Sequence, residues 1–265
     1  MSGNHEPRKN TFYIDVLKAL NDSRISYVLG GAYALRRYTG IERYTKDLDV
    51  FVKQEDCEKV LDLFSRKGYE ARLMFPHWLG KIFHEDEFVD VIFSSGNGLC
   101  PVDEDWFRYS VEDKIFDIPV RLSPAEEMIW SKAFIMERER FDGADIAHIL
   151  NARAEHLNWP RLLERFGRHW RVLFAHLILF GFIYPTKRCK IPSKVMETMA
   201  VNLKNELNSD LEAEEYCQGT FLSLQQYLVD VQKWGYQDAR LIPWGKMTRK
   251  DIDAWTAEFV KEDSA

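Results

Sequence analysis

Three carboxylates in this chain have the type and spacing for metal chemistry. Asp47-Leu48-Asp49 opens a run that alternates through Val50, Phe51 and Val52. Period two puts Asp47 and Asp49 on one face, about 6–7 Å apart. Like charges so close repel unless a positive partner lies between them. A divalent cation is the simplest such partner, and Mg²⁺ favours one or two carboxylates plus the phosphates of its substrate. The third acid, Asp90, interrupts the apolar run Phe88-Val89-Asp90-Val91-Ile92-Phe93, where a carboxylate is costly unless paired or metal-bound. If the two strands adjoin, the three acids converge as two-metal phosphoryl chemistry requires, holding ions roughly 3.5–4 Å apart. The ordinary alternatives are a solvated acidic face for the first pair and a hydrogen-bonded edge residue for Asp90. Phe51, which shares the face of Asp47 and Asp49, weakens the first alternative.

A Gly-Gly pair complements the acids. Gly30-Gly31 follows the apolar run Ile25–Leu29, read as a strand, and precedes Ala32–Tyr38, read as a helix closing at Thr39-Gly40. Glycines at a strand-to-helix turn allow close backbone approach, and the free amides of the helix start favour a phosphate. Alone the pair is a common turn.

The elements that must position these groups follow from periodicity. The polar residues 1–10 are expected to be frayed. Phe12, Val16, Leu17 and Leu20 repeat at helical spacing, as do Cys57, Val60, Leu61 and Phe64. Strands are expected at Asp47–Lys53, Tyr69–Phe75, Gly80–His84, Phe88–Phe93 and Ile115–Arg121. His84-Glu85-Asp86-Glu87 reads as a solvated hairpin turn rather than a metal cluster. From Ser123-Pro124-Ala125-Glu126, with Ser at the cap and Pro at the first position, the chain reads as helical to its end, with breaks at Gly143, Pro160, Gly181, Pro185 and Pro192. The expected organisation is a mixed α/β unit over 1–122 and a helical unit over 123–265.

Composition narrows the class. The 265 residues are 46% hydrophobic, 29% charged and 14% aromatic, which excludes disordered and fibrous classes. A net charge of -6 argues against coating long duplex nucleic acid. Cys57, Cys100, Cys189 and Cys217 form no CxxC pair, so neither a zinc knuckle nor a disulfide framework is expected. The opening residues lack an apolar core, and the most apolar stretch, Val172–Tyr184, is shorter than the ~20 residues that span a bilayer. That stretch reads as a buried helix, and the expected location is the cytoplasm. No Gly-x-Ser-x-Gly, P-loop or HExxH motif occurs.

Leu29-Gly30-Gly31, fifteen intervening residues, Asp47-Leu48-Asp49 and the later Asp90 together resemble the polymerase-β-like nucleotidyltransferase superfamily. Arg43-Tyr44-Thr45-Lys46 resembles the Arg-x-Thr that precedes Asp-x-Asp in the aminoglycoside-modifying and toxin-type branches. The resemblance covers roughly residues 12–121. It implies an α+β fold, a small mixed nucleotidyltransferase sheet flanked by helices and followed by a helical C-terminal domain that closes the cleft. It also implies transfer of a nucleoside monophosphate from an NTP to a hydroxyl, with release of pyrophosphate and Mg²⁺ or Mn²⁺ as cofactor. By the same resemblance, Gly30 and Gly31 would hold the nucleotide phosphates, with Arg43 and Thr45 beside them. Asp47, Asp49 and Asp90 would bind metal, and Asp90 would also serve as base.

The helical half adds Lys132 and the run Glu137–Asp145. Helical members of the superfamily, including AbiEii-like toxins, place a lysine and then an acidic pair facing the nucleotide. On that pattern Lys132 would neutralise a phosphate, and Asp142 or Asp145 would order Lys132 or Arg138. The ordinary alternative is i, i+4 pairing on exposed helix faces. Trp159, Trp170, Phe174, Phe180 and Phe182 read as core. Arg161, Arg165, Arg168 and Arg171 can share a helical face, so a tRNA end stands beside small molecules and protein side chains as an acceptor. Two competing readings are a non-catalytic nucleotide-binding or regulatory module, and the toxin of a toxin–antitoxin pair with an antitoxin protein as partner.

Overall fold

Leu48, Val50 and Val52 are fully buried, whereas Asp47, Asp49 and Phe51 between them are only partly covered. That alternation sets the polarity of the whole sheet. The computed structural model describes residues 11–43, 45, 47–207 and 215–262; residues 1–10, Tyr44 and Lys46 lie outside the described residues. The first half runs α1 (Thr11–Ser23), β1 (Val28–Leu29), α2 (Gly31–Thr39), β2 (Asp47–Phe51), α3 (Gln54–Arg66), β3 (Glu70–Phe75), β4 (Leu79–His84), β5 (Glu87–Ile92), α4 (Glu104–Arg108), β6 (Val111–Ile115) and β7 (Ile118–Leu122). These strands form one seven-stranded mixed sheet in the order β3-β4-β5-β2-β1-β7-β6. β2 runs parallel to β5 and β1 parallel to β7, while the other neighbours are antiparallel.

The apolar face of the sheet packs on α1 and α3. Phe12, Val16, Leu17 and Leu20 of α1 join Cys57, Val60, Leu61 and Phe64 of α3 against Leu48, Val50, Ile82, Val89 and Val91 in one core. On the opposite face Phe51 stacks on the buried Trp106 of α4, with ring centroids 4.8 Å apart and planes 23° apart. The short α4, which the sequence periodicity does not reveal, therefore supports the far end of β2.

After β7 the chain continues as α5 (Ala125–Ala133), α6 (Gly143–Arg153), α7 (Trp159–Phe166), α8 (Trp170–Ile183), α9 (Ser193–Leu207), β8 (Tyr216–Cys217), α10 (Leu224–Lys233), β9 (Gln237–Asp238) and α11 (Arg249–Glu262). β8 and β9 pair only with each other, a two-residue parallel ladder inside an otherwise helical region. Among the described residues no helix is long and apolar enough to cross a membrane, and no cysteine is in a disulfide.

Several local expectations are corrected. Ile115–Arg121 is not one strand: Phe116 and Asp117 take φ of 50° and 62°, and two successive positive φ values turn the chain into the β6–β7 hairpin. Pro124 rather than Ser123 occupies the cap of α5, and no side chain caps that helix. Gly181 lies inside α8 and does not break it. α8 is also not buried all round, because Phe182 is 82% exposed while Leu173, Leu177 and Phe180 are core. Phe182 is therefore not a core residue.

The arginine patch is dismantled as well. Arg161 and Arg165 point toward acids, Arg161 buried and Arg165 largely covered. Arg161 pairs with Glu126 at 2.6 Å and with Glu127, while Arg165 contacts Glu127 at 3.1 Å and Asp103 at 2.6 Å. Arg171 pairs with Glu206. The cluster knits α4, α5 and α7 together behind the sheet. Glu127, with no exposed surface, sits between the two guanidinium groups. Removing one partner of a buried ion cluster leaves uncompensated charge. Glu127→Ala is expected to lower unfolding stability by about 3–5 kcal/mol in a urea titration.

Candidate active site

Parallel pairing of β2 and β5 sets Asp90 directly beside Asp49, with Asp47 one step along on the same face. Ligand oxygens of Asp47, Asp49 and Asp90 lie within 4.8 Å of one another. Burial pushes the Asp49 carboxyl up to about 7, with the charges of Asp47 and Asp90 adding to it and Lys132 and Arg140 opposing. Burial also raises the Asp90 carboxyl, held back by Lys81. Lys81 is the antiparallel partner of Asp90 on β4, and its ammonium lies 2.8 Å from Asp90 Oδ1 and 3.9 Å from the Phe88 ring centroid. Three acids this close, one of them pushed toward neutrality, suit a bound divalent cation.

The Gly-Gly turn is fitted to this cluster. Gly30 donates its amide to the Asp49 carbonyl at 3.0 Å. A Cβ on Gly30 would overlap the Phe51 ring. One on Gly31 would overlap the Asp49 carboxylate, and Gly31 also takes φ +53°, where side chains are strained. Gly31 opens α2, so the positive end of that helix stands beside the Asp49 carboxylate. Thr45 donates its hydroxyl to Asp47, which fixes that carboxylate from the preceding loop.

The opposite wall comes from the helical region. Lys132 of α5 places Nζ 2.8 Å from Asp142 Oδ2 and 2.9 Å from Asp145 Oδ2. Burial works against the Lys132 charge, but the two carboxylates outweigh it and hold the ammonium above its usual range. Burial likewise opposes the Asp142 charge, and Arg140 with Lys132 overcomes it, keeping the carboxyl below its usual range. Arg140 contacts Asp142 through Nε and Nη2, each at 3.1 Å. Arg43 does not stand free for phosphate; it pairs with Asp145, tying the loop before β2 to α6.

Between the walls lies a cleft of about 510 Å³. Gly31, Asp47, Asp49, Asp90, Lys132 and Asp142 line it. Gly30, Arg43, Thr45 and Asp145 are outside its lining and act on groups that are inside. Arg140, Lys81, Glu137, Trp78 and Trp255 belong to the same surroundings although the motif reading assigned them no role. Arg140 stands in the run Glu137–Asp145 that does carry a signal. Lys81 becomes legible only once β4 is set antiparallel to β5, and Trp255 only from the tertiary fold.

The family model of aminoglycoside-2''-adenylyltransferase matches residues 13–80. Among curated proteins, none matches this chain. Solved structures similar to it include the lincosamide antibiotic adenylyltransferase LnuA in its lincomycin-bound form. It is 17% identical, with 55% of this chain and 98% of that chain covered and a TM-score of 0.39. ANT(2'')-Ia in complex with adenylyl-2''-tobramycin is 20% identical, covering 66% and 97%, with a TM-score of 0.35. An antigenic nucleotidyltransferase-like protein from Paracoccidioides brasiliensis is 14% identical, covering 71% and 91%, with a TM-score of 0.43. The match over residues 13–80 holds the Gly-Gly turn and the Asp-x-Asp strand, so this segment is similar to the aminoglycoside-2''-adenylyltransferase family, and the third carboxylate stands on the strand adjoining it.

Proposed function

We propose that this chain is a divalent-metal-dependent transferase that moves a nucleoside monophosphate from a nucleoside triphosphate onto an acceptor hydroxyl, releasing pyrophosphate. The observation that carries this reading is the convergence of Asp47, Asp49 and Asp90 against the Gly31 end of α2, in a cleft with cationic groups opposite. In this reading the sheet unit up to Leu122 supplies the carboxylates and the helical unit from Ser123 closes the cleft over them. The family matched over residues 13–80 is one of adenylyltransferases, so ATP is the first donor to test.

Asp47, Asp49 and Asp90 would hold the cation, and a bound divalent ion supplies charge stabilisation to the attacking and leaving oxygens. The Gly30-Gly31 turn gives the phosphates close backbone approach at a helix N-terminus. Arg140 and Lys132 offset the negative charge that grows on pyrophosphate. Asp142 and Asp145 keep the Lys132 head fixed, so little reorganisation is needed during the reaction. Asp90, nearest the β4 side, accepts the acceptor's hydroxyl proton when that hydroxyl comes within hydrogen-bond reach.

The acidic cluster predicts opposite effects on stability and activity. Asp49→Asn removes one charge from three that repel, so it is expected to raise the melting temperature of the metal-free chain at pH 8. The same change is expected to lower nucleotidyl transfer by more than about a hundredfold. A melting scan with ATP and Mg²⁺ tests the donor: ligand at ~100 times its dissociation constant adds about 2.7 kcal/mol. The reading requires a Mg²⁺-dependent upshift with at least one nucleoside triphosphate, lost in Asp47→Asn/Asp49→Asn. No shift with any of the four would sink it.

Asp49 also sets a pH dependence. Its carboxyl titrates near 7 when folded and at about 3.9 when unfolded. Folding therefore takes up a proton between those values, and the stability this group contributes is lost as pH rises through 7. Metal needs the ionised form, so at pH 6 it must displace that proton and at pH 8 it need not. Mg²⁺ is expected to bind about tenfold more weakly at pH 6 than at pH 8, read as a smaller melting shift, with the difference abolished in Asp49→Asn.

A further inference from the structure

We infer that the acceptor taken by this cleft is a neutral molecule presenting its hydroxyl on a flat apolar body, and that a polyamine is a poor ligand; the inference rests on the transferase reading above. The first argument is a census of charge. Five carboxylates line the cleft: Asp47, Asp49, Asp90, Glu137 and Asp142. The first three form the metal cluster, and Asp90 is also paired with Lys81. Asp142 is held by Lys132 and Arg140. Glu137 accepts the Ser223 hydroxyl and, at 3.2 Å, the Leu224 amide, so it caps the start of α10. Among the described residues lining the cleft, each carboxylate thus already has a structural or metal-binding task. An ammonium brought into such a cleft loses its water without meeting a carboxylate free of another task, which is a desolvation cost.

The second argument is the wall itself. The phosphate-binding side lies toward β1 and β7, where Gly31 and Lys132 follow those strands. The acceptor side lies toward β5 and β4, where Asp90 and Ile92 share a face and Trp78 immediately precedes β4. There the rings are held in place. Trp78 stacks on Phe75 with centroids 5.6 Å apart and planes 15° apart. Trp255 packs beside His77 at 5.7 Å and the Arg240 guanidinium at 5.6 Å. It also covers Gly96, where a Cβ would come within 2.7 Å of the indole. Two polar side chains nearby bond within the chain: Ser95 donates to Asn97 at 2.6 Å, and Asn97 donates to the Phe221 carbonyl at 2.8 Å. A surface of fixed rings with few free polar groups favours stacking of an apolar face.

Calorimetric titration of the full chain, loaded with Mg²⁺ and whichever nucleoside triphosphate shifts its melting, tests this with two probes. 4-Nitrophenyl β-D-glucopyranoside is neutral, hydroxylated and ring-bearing; tobramycin is a hydroxylated polyamine. The glucoside is expected to bind at least tenfold more tightly than tobramycin. Trp255→Ala and Trp78→Ala are each expected to weaken it about five- to tenfold. Ser94→Asp adds an uncommitted carboxylate on the cleft-lining loop after β5, without touching the core, and is expected to raise tobramycin affinity at least fivefold. Donor binding with tobramycin equal to or tighter than the glucoside overturns this inference and leaves the transferase reading standing. So does donor binding with no heat from the glucoside. Absence of donor binding removes both.

Discussion

Asp49 is the constraint around which the rest is arranged. A largely covered carboxylate beside two others is an expensive group, and an unpaired one would neutralise itself by taking a proton. Its environment softens that cost without removing it. The N-terminal end of α2 stands next to it, and the loss of a side chain at Gly31 makes the space. Lys132 and Arg140 pull its pKa down while burial, Asp47 and Asp90 push it up. The balance leaves the carboxyl near 7, a group ready to exchange a proton for a cation. Stability and chemistry are set against each other at this one residue, as expected where a fold retains like charges in one place.

The cations that oppose the cluster are themselves held by acids, and this links the two regions of the chain. Lys132 is on α5, Asp142 immediately precedes α6 and Asp145 lies in its first turn. Arg43, on the loop that leads into β2, reaches across to Asp145. A change in the position of α6 would therefore be felt at both Lys132 and the approach to Asp47. The arrangement is coupled through ion pairs, of which those of Lys132 with Asp142 and Asp145 are largely shielded from water and so little screened.

Much of the sheet is legible in the sequence because its signals are local. Alternation through Asp47–Phe51 fixes which side of β2 faces the core, and the apolar run around Asp90 marks a neighbouring strand. The contiguity of those two strands, and so the meeting of their acids, is a matter of topology that periodicity does not carry. The β6–β7 hairpin is missed because Phe116-Asp117 holds neither Gly nor Asn, the usual residues for two positive φ values. α4 is five residues long, too short for a helical stripe. The inward arginines mislead for a different reason. Arg161 and Arg165 have the spacing of a surface patch, and only the buried Glu126 and Glu127, with the half-exposed Asp103, turn them into internal partners. Spacing tells which residues share a face, but not which way the face looks.

The last wall of the cleft shows how such long-range pairing defines a site. Residues 220–224 sit across from the sheet because three separate groups hold them there. Asn97, from the loop after β5, donates to the Phe221 carbonyl; Met136 donates its amide to the Leu222 carbonyl at 3.1 Å; and Glu137 accepts from Ser223 and Leu224. Each anchor satisfies a backbone or side-chain group that would otherwise be left without a partner in a covered place. A loop held by polar groups on both sides presents its apolar side chains, Phe221 and Leu222, to the remaining space. The polar groups that build the wall are thereby withdrawn from ligand recognition, and what is left facing the cleft is shape and ring surface. In the proposed transferase, discrimination among acceptors would then fall to fit and stacking, with the charged chemistry left to the carboxylates and cations at the other end.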